Sequence, residues 1–357
     1  LSLLFRPLNL TRFPRTLLVR FAVTPMLLAS AWALVVWLLY ATLELHLLRV
    51  PFLPIATIGT AVAFYVGFKN NSAYERFWEG RKIWGGVVNA SRTWAAGVLA
   101  YTEPGEHRDL LYRHLAWTNA LRLQLRKTSR FFHRPAPTTR RRLERHGEHM
   151  RNDWDAELAP FLSEDELAEV SKHANPATHL VSAQAQRLKG LEKAGSLNLF
   201  HQIALMATLT ELYTLQGKCE RIKATPFPRQ YAEYSRVFTR IFVVLVPFWL
   251  LDVFADAIDG ATSTLETLAP VVPMVVASAL VSWVFATMEG IGDSSEDPFE
   301  RSMNDVPMNA LCRVIERDLR QMLGETEVPA KEDRKRVVVG KGGDIGGGRI
   351  IKKNRGG

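Results

Sequence analysis

Cysteine is almost missing from this chain of 357 residues; only Cys219 and Cys312 are present. That excludes a disulfide framework and any CxxC metal site, and nothing in the chain requires an oxidising compartment. The chain also lacks HExxH, GxSxG, a dinucleotide-binding glycine pattern and the kinase signatures, so no catalytic constellation announces an enzyme. Gly340-Lys341 invites a phosphate-loop reading, but Gly342 follows where that loop needs Ser or Thr. His107, His114, His133, His146 and His149 are scattered without zinc spacing and read as surface residues. The opening LSLLFRPLNLTRFPRTLLVRF is basic, but no short apolar core with a small-residue cleavage site follows; no cleaved signal peptide is expected.

Charge, by contrast, is plentiful but segregated. Mean hydropathy is only −0.03, yet Phe21–Leu43 is uncharged throughout, and a hydrocarbon core needs about 20 apolar residues as helix. A second window, Pro51–Phe68, is just long enough to span, with Pro51 and Pro54 where a first helical turn tolerates proline. A third, Val237–Ile258, is interrupted by Arg240, Asp252 and Asp256, and a fourth, Leu268–Met288, is clean. Arg6, Arg12, Arg15 and Arg20 precede the first window, and no Lys or Arg occurs between Arg240 and Arg301. The positive-inside rule then puts both termini and the polar middle in the cytoplasm. The net charge of +9 belongs to those cytoplasmic segments, so no nucleic-acid partner is expected.

These shifts divide the chain into a cytosolic segment over 1–20, transmembrane helices 1 and 2 over 21–68, a cytosolic helical region over 69–236, transmembrane helices 3 and 4 over 237–288, a cytosolic segment over 289–330 and a disordered, basic, Gly-rich tail over 331–357. Helix 2 passes Lys69 without a break signal and continues to about Tyr101. Further helices are expected over His107–Lys127 and Ser196–Ile222, and Ser163-Glu164-Asp165-Glu166 is a capping box opening a helix toward Lys172. Arg130–Arg151 reads as an exposed connector.

Thr60, Phe64 and Phe68 share one helical stripe with Ala56. Periodicity alone leaves two readings: ordinary helix packing, or the lining of a pore built by several copies of the chain, where a ring of phenylalanines gates ions by dewetting. Asp252, Asp256 and Asp259 share a face near the outer end of the third window; they offer a cation-concentrating mouth or simply sit in outside water. The run Asp293-Ser294-Ser295-Glu296-Asp297 is a solvated turn or a carboxylate cluster for Ca²⁺, without the spacing of an EF-hand.

Three long stretches say more. GFKNNSAYERFWEGRKIWGGVVNASR at Gly67–Arg92, GKCERIKATPFPRQY at Gly217–Tyr231 and EDPFERSMNDVPM at Glu296–Met308 resemble, in this order, the signature blocks of bacterial bestrophin-like proteins. The resemblance spans roughly Phe5 to Arg320. It implies a homopentameric ion channel whose second transmembrane helix lines the pore. By position the family's hydrophobic neck maps onto Thr60, Phe64 and Phe68, with Thr60 making the outer ring wetter, and its cytosolic aperture onto Leu209. Animal relatives hold calcium in an acidic cluster after the fourth helix. The counterpart here keeps Asp297 and Asp305, the candidates for holding Ca²⁺, but has Ser302 in place of a carboxylate and Glu300 in place of glycine; no cofactor is expected, and whether Ca²⁺ gates is left open. Bacterial members include cation-conducting channels, which leaves the sign of the ion open.

The expectation is therefore an all-α, bestrophin-like polytopic protein with four transmembrane helices per subunit, in the cell inner membrane, its partners being further copies of itself, small inorganic ions and the lipid bilayer. The alternative is a membrane-anchored scaffold or signalling protein with a partner-binding helical body. In the channel reading the mixed run Glu75, Arg76, Glu79, Arg81 offers carboxylates to arginines at subunit contacts.

Overall fold

The structure, a computed structural model, describes residues 15–127, 153–225, 227–260, 263–299 and 305–330. Arg6 and Arg12, the Arg130–Arg151 connector, Glu300, Ser302 and the Gly-rich tail lie outside them, as do the side chains of Arg15 and Arg20. The described regular structure is helical: α1 (Arg15–Leu43), a 3₁₀ turn (His46–Leu48), α2 (Phe52–Tyr101), α3 (Pro104–Lys127), α4 (Trp154–Leu158), α5 (Glu164–Ser171), α6 (Pro176–Lys193), α7 (Leu199–Ala224), α8 (Arg229–Asp259), α9 (Thr264–Ser295) and α10 (Met308–Met322). The chain forms two compact units. One holds residues 1–78 and 225–297; the other holds 79–224 and 298–357. Helix α2 contributes its first half to one and its second half to the other.

Four helices are long and apolar enough to cross a membrane, over Val23–Leu43, within His46–Tyr101, over Gln230–Asp259 and over Leu268–Ser295. They all draw on the first unit, whose core gathers Val36, Val62, Val66, Phe242, Val246 and Met274. Leu27, Leu28 and Leu38 of α1 stay exposed, which would cost hydrophobic free energy in water and costs none among lipid tails. Pro25, Pro247, Pro270 and Pro273 sit inside these helices, as membrane-spanning helices tolerate. The third window begins earlier than its charges suggest, because α8 runs unbroken from Arg229 through Arg240.

The second unit is built around Trp84, Trp94 and Trp117, all fully buried. Ser163 caps α5 as its pattern predicts, its Oγ accepting from the Glu166 N–H at 3.3 Å. Asn175 caps α6 in the same way, with Pro176 in the first turn. Helix α3 starts on Pro104 itself, since the missing N–H costs nothing in a first turn. His114 is buried between the rings of Trp94 and Trp117. Burial with no charged partner pushes its pKa down to about 3, so it is a neutral core residue and not the surface histidine its polar surroundings in sequence suggest. Burial likewise raises the thiols of Cys219, well above the ordinary range, and of Cys312, to about 11, which makes both unreactive.

Candidate functional site

The first half of α2 has two unlike faces. Ile55, Val62, Val66, Lys69 and Ala73 are packed inside the unit. Gly59 belongs to this face, and a Cβ there would come within 2.6 Å of the Phe242 ring, so the close approach of α2 and α8 requires glycine. On the other face Phe64 is 67% and Phe68 70% exposed, with Thr60 in line above them. The Thr60 hydroxyl donates to the Ala56 carbonyl at 3.0 Å, which spends its hydrogen inside the helix and leaves oxygen lone pairs outward. A cavity of about 280 Å³ flanks Thr60 and is lined by Gly59, Phe242, Trp249 and Phe285.

A polar collar closes the apolar run. Lys69 is 1% exposed, and its Nζ lies 2.7 Å from Glu289 and 3.5 Å from Asp293, both on α9. Asp293 also pairs with Arg236 of α8 at 2.9 Å. One residue on, Asn70 donates to the Met288 carbonyl at 3.0 Å, and its Oδ1 fills the space that a side chain at position 292 would need, so Gly292 is a packing requirement. Arg76 donates to the carbonyls of Glu296 at 3.0 Å and Thr225 at 2.8 Å, and stands 3.7 Å from Asp297. The KNNSAYER run is thus what pins α2 to the ends of α8 and α9. Glu79 is paired with Arg221 of α7 at 2.6 Å, while Glu75 accepts from Asn71. These partners lie within the subunit, where the sequence reading places the charges at contacts between subunits.

The outer aspartates do not stand alone. The Arg49 guanidinium lies 3.8 Å from Asp252, 2.6 Å from Asp256 and 3.5 Å from Asp259, and the Tyr40 hydroxyl donates to Asp259. One cation between three carboxylates damps any cation-concentrating field, although Asp256 keeps a side chain 94% exposed.

Leu209 does not reach the surface. It is 1% exposed, inside the core formed with Leu205, Leu212 and Cys219, and a side chain covered by its own subunit has no surface left to line an aperture between subunits. On α7 the large apolar side chain left most open is Phe200, 77% exposed, followed by Ile203 at 58%. Of the calcium candidates, Asp297 stands 3.7 Å from Arg76, while Glu300 and Ser302 lie outside the described residues.

Four spanning helices, a half-packed helix with an open phenylalanine stripe and an ion-paired collar beneath it define a polytopic membrane protein of channel type. Residues 5–321 match the family model described as bacterial/fungal bestrophin protein, and the chain belongs to that family. Among its relatives, the voltage-dependent anion channel-forming protein YneE of Escherichia coli K12 is 28% identical over 279 residues, 78% of this chain and 79% of that one. A protein of the same description from Mesorhizobium japonicum is 30% identical over 274 residues, 76% and 75% of the two chains. The crystal structure of a bacterial bestrophin homolog from Klebsiella pneumoniae superposes with a TM-score of 0.69 at 26% identity, covering 85% of this chain and 99% of that one.

Proposed function

We propose that this chain is the subunit of a homopentameric channel of the cell inner membrane that passes small monovalent ions, anions in preference, down their gradients. In this reading Phe64 and Phe68 form the dewetted neck, Thr60 is its outer end, Phe200 replaces Leu209 as the cytosolic aperture, both termini are cytoplasmic, and no bound metal is needed. The observation that carries it is the phenylalanine stripe on α2, left open by the subunit while the opposite face is packed. A narrow ring of phenyl groups excludes water and with it ions, and the edges of those rings carry partial positive charge. The anion preference draws on the relatives named anion channel-forming proteins.

Flux from liposomes holding the purified protein tests the reading. Phe64→Ala should raise flux severalfold by widening the neck. No flux above empty vesicles from wild type and variant alike would refute it and leave the scaffold reading. Subunit copy number follows from the protein mass in detergent, about 200 kDa for a closed five-fold ring of 40.3 kDa chains.

A further inference from the structure

Inside one spanning helix of the first unit a charged side chain goes unanswered. Arg240 belongs to the span Gln230–Asp259, three residues past the Val237 that opens its apolar window. It is exposed, and so are Val237, Ile241 and Val244 around it on α8. The ion pairs of this end of α8 stop one turn earlier, at Arg236, and among the described residues Arg240 has no ion-pair or hydrogen-bond partner. A cation at membrane depth without a counter-charge is costly. Helix geometry fixes where relief lies, because side chains lean toward the helix N-terminus. Arg240 therefore points back toward the side of the membrane on which the Lys69 collar sits. Three residues at the helical rise put its Cα only ~5 Å inside the window, a depth that an arginine bridges by laying its aliphatic stem along apolar surface with the head at the interface. Tyr231 and Tyr234, both exposed in the first turns of α8, are the residue type that marks headgroup level.

We infer that Arg240 anchors an acidic phospholipid: its guanidinium holds the headgroup phosphate while the acyl chains lie along Ile241 and Val244. The inference needs only a membrane-embedded chain and stands apart from the channel reading. A planar guanidinium grips two phosphate oxygens at once. A zwitterionic headgroup brings its own ammonium to compete for that phosphate, so a net-negative headgroup is preferred. A second copy of the chain is the rival source of negative charge, but it would bring carboxylates that are already engaged. Glu289 lies 2.7 Å from Lys69, Asp293 is shared between Lys69 and Arg236, and Glu233 holds Arg236 at 3.2 Å. Glu75 comes six residues after Lys69 on α2, ~9 Å further out of the membrane. Lipid phosphate is the anion that the bilayer itself supplies at the level of Arg240.

Native mass spectrometry of the full-length protein, stripped of lipid in detergent and titrated with phosphatidylglycerol or phosphatidylcholine, tests this and reads subunit number in the same spectra. Phosphatidylglycerol should bind the wild type on the order of fivefold more tightly than Arg240→Gln, the increment of one arginine at a membrane surface. Phosphatidylcholine should hardly distinguish the two proteins, and Arg240→Lys, which keeps the charge, should retain most of the preference. Equal affinity of wild type and Arg240→Gln for phosphatidylglycerol overturns the inference. So does a wild type with no preference for phosphatidylglycerol over phosphatidylcholine, a result that needs no variant to fold. Inorganic phosphate that displaces phosphatidylglycerol at equal concentration would show a simple anion site and overturn it as well. A lower subunit number in Arg240→Gln with lipid affinity unchanged would assign the arginine to a second copy's carboxylate instead.

Discussion

Lys69 offers the sharpest test of how helix α2 is held. Its ammonium is 1% exposed and lies 2.7 Å from a Glu289 carboxylate that is itself only 13% exposed. At an effective dielectric of about 20 that separation gives a gross attraction of ~6 kcal/mol. Desolvation of the two ions cancels most of it, so the pair adds little net stability, but removing one partner strands the other charge at a cost of about 3–5 kcal/mol. Lys69→Met should therefore destabilise the protein by roughly that amount. The double variant Lys69→Met/Glu289→Gln, which strands no charge at Glu289, should recover at least half. Asp293→Asn should cost less than either, because Asp293 is more exposed and shared between Lys69 and Arg236. Thermal unfolding in detergent, followed by tryptophan fluorescence, reads all three. A Lys69→Met protein that melts with the wild type, or a double variant no more stable than the single, would refute the stranded-charge argument.

Leu209 and Phe200 should separate cleanly on substitution. Leu209→Ala should lose about 2–4 kcal/mol of stability through the cavity it opens and leave ion selectivity as it was, whereas Phe200→Ala should alter conductance in bilayers with little change in melting. His114 predicts an acid-dependent weakness. Its folded pKa of about 3 lies below the unfolded value near 6.5, so the unfolded chain takes up a proton the folded one cannot, and stability falls as pH drops through that window. Between pH 7 and pH 5 the wild type should lose about 2 kcal/mol more than His114→Phe in paired denaturant titrations. Chelating calcium with EGTA should leave liposome flux unchanged, and a loss restored by added calcium would show that a metal site does form.

The membrane half of the fold is legible in the sequence because four apolar windows admit one kind of structure, and the uncharged run from Phe21 to Leu43 leaves no competitor. The second unit is less so. Helix α4 is only five residues long; α6 and α10 each bury an apolar stripe, Leu180, Leu188 and Leu191 in one and Met308, Cys312, Ile315 and Leu319 in the other, but their start signals are short: Asn175-Pro176 for α6, and for α10 only a proline, Pro307, with no capping side chain. The collar around Lys69 could not be read at all. Its partners are more than two hundred residues away in sequence, and only packing shows that Gly292 is the notch for Asn70. For the aperture a readable signal exists. Leu205, Leu209, Leu212, Gln216 and Cys219 recur at three- and four-residue steps, the mark of a core face, and Phe200 stands off that line. The family resemblance maps the aperture onto Leu209, which by this signal is a core position.

The Lys69–Glu289 pair also sets an order of assembly. The two residues are 220 positions apart, and at the ~5–20 residues per second of synthesis about 10–40 seconds pass between them. For that interval a lysine at the end of an apolar helix has no carboxylate from α9 to meet, and membrane insertion must hold α2 in water, at the interface or against insertion factors until α9 arrives. A chain truncated before Thr264 should leave the ribosome with this charge still unmatched and be removed by quality control, however apolar its first two spanning helices are.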